Sequence, residues 1–166
     1  MGMNLTEDTA NASVSTPVRL GVALAFALTS WAVAQACFVP VQPSNDDVTM
    51  ELLARGVGIA SAPTPHLLFV NILLGRLLVF LYANIPGLSW YRLLMSGLQV
   101  ASTTTVGFVA LSRRPTMVRL LLLLNYLVVF DFHFHVHPHF TVTASGLATA
   151  AVLLWLERIS RGERLG

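Results

Sequence analysis

Two groups of side chains in this sequence have types and spacing suited to chemistry. Asp46 and Asp47 stand together in Pro43-Ser44-Asn45-Asp46-Asp47-Val48-Thr49-Met50. A carboxylate pair just outside a membrane helix can take a proton from a hydroxyl presented at the water interface, or help hold a divalent metal ion. The spacing also fits a structural reading. With Ser44 as a helix cap, Asp47 falls at the third helical position of a capping box, and Asp46 meets the helix dipole in the first turn. Spacing alone leaves both readings open.

The second group is Asp131-Phe132-His133-Phe134-His135-Val136-His137-Pro138-His139, with histidine at every other position. On an extended strand, alternation puts all four imidazoles and Asp131 on one side, a surface suited to a divalent metal. On a helix only His133 and His137, four residues apart, would share a face. Pro138 argues against a helix through the whole segment, so an extended arrangement is expected. That makes His133, His135, His137 and His139 candidate metal ligands, the alternative being an aromatic-histidine segment at the membrane interface. Three isolated basic side chains complete the set. His66 follows Pro63-Thr64-Pro65 and either starts an interfacial helix or contacts a phosphate, while Arg55 and Arg76 either meet an anionic phosphate or snorkel to lipid headgroups.

These residues punctuate a chain of 166 that is 55% hydrophobic and only 11% charged, with a mean hydropathy of +0.70. A water-soluble domain cannot hide that much apolar surface. Leu20 to Val39, Leu93 to Ser112, Leu120 to Phe130 and Phe140 to Leu156 run without charge, and most approach the roughly 20 residues of a bilayer crossing. The expected spans are Pro17 to Phe38, Leu88 to Ser112, Pro115 to Asp131 and Pro138 to Ile159, with Trp31, Trp90, Tyr91 and Trp155 as interface anchors. Between the first two lie a short polar helix from Ser44 to Gly56, a connector from Val57 to Pro65, and an apolar helix from His66 to Tyr82 broken by Asn71, Gly75 and Arg76.

Charge placement decides whether that last helix crosses. All ten basic residues are arginine, and the net charge of +2 carries no nucleic-acid signal. If His66 to Tyr82 spans, the clusters Arg113-Arg114-Arg119 and Arg158-Arg161-Arg164 fall opposite the amino terminus, violating the positive-inside tendency twice. If it lies at the interface, both clusters join Arg19 on the cytoplasmic side. The expected fold is therefore an all-α polytopic membrane bundle of four transmembrane helices plus outer-face interfacial helices. Residues 1–16 form a disordered tail, 17–160 the membrane domain with its first outer loop at 40–87, and 161–166 a cytoplasmic tail. Cys37, the single cysteine, reads most simply as a buried small residue. Ala34-Gln35-Ala36 before it resembles a cleavage site, yet the long apolar stretch favours an uncleaved helix.

The stretch Pro43 to Met50, followed by Pro63-Thr64-Pro65-His66 and then Asn71-Ile72-Leu73-Leu74-Gly75, resembles the first outer loop of the GT-C superfamily of membrane glycosyltransferases. The resemblance covers roughly residues 17 to 160 and is most specific over 43 to 91. It implies transfer of sugar from a polyprenyl-phosphate donor to an acceptor at the outer face of a bacterial cytoplasmic membrane, with the amino terminus inside. It makes Asp46 the carboxylate that deprotonates the acceptor hydroxyl, Asp47 an assistant or metal contact, and His66, Arg55 and Arg76 candidates for the donor phosphate. Superfamily members carry more membrane helices, so the resemblance also implies further helices or a second chain as a partner. A membrane accessory subunit or a metal-handling protein is the alternative reading.

Overall fold

A computed structural model describes residues 15–38, 45–112 and 117–162. The tail at 1–14, Ser44, the arginines at 113 and 114, and the last four residues lie outside it. The described chain is all-helical. In order come α1 (Thr16–Cys37), α2 (Asn45–Arg55), α3 (Ile72–Asn84), α4 (Trp90–Ala110), α5 (Met117–Tyr126), a wide π turn (Leu127–Asp131), α6 (Phe132–Val136) and α7 (Phe140–Ser160).

Among the described residues, four helices are long and apolar enough to cross a bilayer: α1, α4, the continuous run Met117–Val136, and α7. The chain is an integral membrane protein. Its third span is longer than the sequence suggests, because helix continues past Asp131 to Val136 and stops only where His137 leaves helical geometry ahead of Pro138. Helix α3 has 13 residues, about 20 Å at 1.5 Å each, too short for the hydrocarbon core.

The spans alternate in direction, so the bundle has two ends. At one, Arg19 donates to the carbonyl of Ser112 at 2.9 Å and lies over the Phe108 ring at 4.9 Å, while Ser112 Oγ donates to Glu157 at 2.8 Å. The other carries α2, α3 and the turn into α7. Helix α4 is the centre, packed between α1 and α7. Small residues allow the approach, since a Cβ on Gly107 would sit 3.4 Å from that of Ala23 and one on Gly146 3.0 Å from Ser102 Oγ. Their faces away from α4 expose Leu20, Leu24 and Leu28 of α1 and Val152 and Leu156 of α7, as expected of helices solvated by lipid. Cys37 is exposed on this surface rather than buried.

Helices α2 and α3 form a cap with a core of its own, built from Met50, Ala54, Leu67, Leu78, Tyr82, Tyr91 and Met95. Helix α2 ends at Gly56, whose φ of +67° suits glycine, and the amides of Gly56 and Val57 return to the carbonyls of Leu53 and Leu52. The loop then docks on α2 through Thr64 N to Leu53 O at 3.0 Å. Helix α3 starts at Asn71, whose side chain accepts from the Leu73 amide. Gly75 packs against the Pro65 backbone so closely that a Cβ there would stand 2.0 Å from its carbonyl oxygen.

Candidate functional site at the capped end of the bundle

The two aspartates have opposite fates. Asp47 is fully buried and Asp46 exposed. The Tyr91 hydroxyl donates to Asp47 Oδ1 at 2.5 Å, and the Phe140 amide, the first of α7, donates to the same oxygen at 3.1 Å. One carboxylate oxygen thus ties α2 to the starts of α4 and α7. This role is larger than a capping box, whose cap residue Ser44 lies outside the described residues. Tyr91, expected as an interface anchor, is instead fully buried.

A second polar chain runs behind it. The Tyr91 amide donates to the Tyr82 hydroxyl at 3.0 Å, and Ser89 Oγ donates to Glu51 at 2.9 Å. Burial, with the Glu51 charge adding to it, raises Tyr82 from the usual 10.0 to about 12, although the Tyr91 amide bond pulls the other way. Glu51 also pairs with Arg55 at 3.6 Å, and the Arg55 guanidinium lies 5.7 Å from the centre of the Tyr82 ring.

The remaining sequence-derived residues separate into two places. Arg55 is nine residues beyond Asp46 on α2, about 13 Å along the axis at 1.5 Å per residue, and is engaged by Glu51 and Tyr82. His66 and Arg76 are exposed, and the contact between Pro65 and Gly75 brings together the backbone positions that carry them. Phe69 links this loop to the acidic pair: its ring stacks on Phe140 at 5.1 Å, 3° from parallel. Phe69 has φ of +61°, an uncommon conformation for a bulky residue.

The histidine segment is helical through Val136, which corrects the extended expectation. The four imidazoles do not share a side. His135 is fully buried, His133 is exposed, and His133 and His137 face each other with ring centres 4.6 Å apart. No group of three or more His, Cys, Asp or Glu side chains among the described residues is placed to hold a metal ion.

In its place is a buried polar cluster that the sequence reading passed over. Asp131 is 1% exposed and His135 0%, with His135 Nε2 3.3 Å from Asp131 Oδ1. Ser30 of α1 donates to Asp131 Oδ2 at 2.7 Å, and Thr103 of α4 donates to Oδ1. One turn away Gln99 donates to Thr143 Oγ1 at 3.2 Å, and Thr143 Oγ1 to the His139 carbonyl at 2.9 Å. The available signal was Gln99, Ser102 and Thr103 at i, i+3 and i+4 in a span otherwise poor in strong polar groups.

Fold and site together define a membrane protein with four apolar helices among the described residues, a helical cap at one end of them and a polar interior beneath it. No protein-family model, curated protein or solved structure matches the chain.

Proposed function

We propose that the chain transfers a glycosyl group from a polyprenyl-phosphate carrier to an acceptor hydroxyl at the outer membrane face, with Asp46 as the base. The supporting observation is the division of labour in the acidic pair. Asp47 is locked to α4 and α7, which fixes the start of α2 and leaves Asp46 exposed. A base held by its neighbour's bonds and open to water at the lipid boundary suits a lipid-linked donor and a soluble acceptor.

In this reading the acceptor oxygen attacks the anomeric carbon while Asp46 takes its proton. The bond from that carbon to the carrier phosphate breaks, and the polyprenyl phosphate leaves with the bonding electrons. His66 and Arg76, exposed on the α3 side, are the groups to receive its charge. Arg55, held by Glu51 and Tyr82, shapes the cap instead. Asp47 is a positioning residue. The positive-inside tendency puts the Arg19, Arg119, Arg158 and Arg161 end in the cytoplasm of a bacterial cell and the Asp46 end outside.

The test supplies purified protein with radiolabelled polyprenyl-phosphate sugars and a membrane extract as the source of acceptor, and follows release of polyprenyl phosphate. Asp46→Asn is expected to abolish release while leaving membrane insertion and thermal stability unchanged. Full release by that variant would remove Asp46 from the chemistry and sink the reading.

A further inference from the structure

The interior cluster asks for a ligand of its own. An ionised carboxylate inside a membrane bundle needs a compensating positive charge. His135 Nε2 is near Asp131 at 3.3 Å, but neither imidazole nitrogen makes a hydrogen bond. Everything else against the carboxylate is oxygen. Ser30 and Thr103 touch it directly, and the Tyr126 hydroxyl stands beside those of Ser102 and Thr103. Gln99 Oε1, one turn along α4, has no hydrogen-bond partner. Ser102 and Gln99 are 2% and 3% exposed, so these oxygens are turned inward among the helices.

The π turn explains how the set assembles. Tyr126 and Asp131 are five residues apart, and an ideal α-helix would place them about 140° apart around its axis. The wider turn at Leu127–Asp131 closes that angle, so both oxygens meet the same stretch of α4. Such turns recur where a helix is reshaped for a function.

Oxygen-only donors are the chemistry of hard cations, and one carboxylate balances one positive charge. We propose that the cluster binds a monovalent alkali cation of the size of sodium, with Asp131 as its charge and Ser30, Ser102, Thr103 and Tyr126 as neutral oxygen ligands.

The experiment is thermal unfolding of the purified full chain in sodium chloride and in choline chloride of equal ionic strength. Sodium is expected to raise the midpoint by several degrees in a saturable way, and Asp131→Asn to abolish the rise. Thr103→Val keeps the carboxylate and should weaken sodium affinity about tenfold or more, so the proposal stays testable if Asp131→Asn misfolds. Equal midpoints of the unaltered chain in the two salts overturn it, as does a sodium response undiminished in both variants. Stability that follows pH but ignores sodium also overturns it, by making Asp131 and His135 a self-sufficient ion pair.

Discussion

Replacing Tyr91 with phenylalanine removes a single oxygen from the cap and leaves the ring in place, so its effect isolates the bond to Asp47. That bond is 2.5 Å long, between fully buried partners, and hydrogen bonds to charged acceptors contribute about 1.5–3 kcal/mol. For a chain of this size each kcal/mol corresponds to roughly 2–4 °C, so Tyr91→Phe should lower the unfolding midpoint by about 3–12 °C. Trp90, adjacent in sequence with its indole bonded to the Ile85 carbonyl at 2.8 Å, makes tryptophan fluorescence a local reporter. Asp46→Asn is the control, since an exposed substitution should stay within about 0.5 kcal/mol. Combining Tyr91→Phe with Asp47→Asn should cost less than the sum of the two, because both break one interaction. A midpoint for Tyr91→Phe within about 1 °C of the unaltered chain, or a larger loss from Asp46→Asn, would refute the view that Asp47 anchors the cap.

Three further outcomes follow from the geometry. Gly75→Ala puts a methyl group into the Pro65 carbonyl and should destabilise the cap by several kcal/mol, whereas Gly97→Ala, with nothing within 4 Å of its new Cβ, should stabilise α4 by up to about 1 kcal/mol; denaturation in detergent compares them. Tyr82, raised to about 12 by burial first and Glu51 second, should remain un-ionised where an ordinary tyrosine titrates. Its contribution to stability is complete below the ordinary value of 10.0 and is lost between there and about 12, because the unfolded chain releases that proton first; ultraviolet titration against Tyr82→Phe reads the missing step. Arg19→Gln removes the bond to the Ser112 carbonyl and the contact with Phe108, and should cost about 1–3 kcal/mol, measured as a lower unfolding midpoint with the capped end unaffected.

The spans were legible because runs such as Phe140 to Leu156 carry no charge, and a bilayer crossing has a fixed length. Arginine placement argued that the apolar segment after Pro65 does not cross, but its helix begins at Ile72 rather than His66 and has 13 residues. What pattern reading could not supply was tertiary. Nothing local tells Asp46 from Asp47; the distinction arises because Tyr91 and Phe140, 44 and 93 residues along the chain, converge on one of them. The histidine run misled for a related reason. Strict alternation in sequence suggests a strand, but a segment crossing lipid must satisfy its backbone internally, and helix does so while alternation of side chains does not. Pro138 ended that helix without preventing it.

The wide turn at Leu127–Asp131 also fixes how the third span tolerates change in length. Adding one residue there without widening the helix further would rotate all that follows by about 100° relative to what precedes it. His135 would swing out of the interior and the oxygens of α5 would part from Asp131, although no apolar segment had been lost and the hydropathy profile had scarcely altered. Such an insertion is therefore a frameshift in three dimensions: silent to any count of membrane crossings, and decisive for what the bundle encloses.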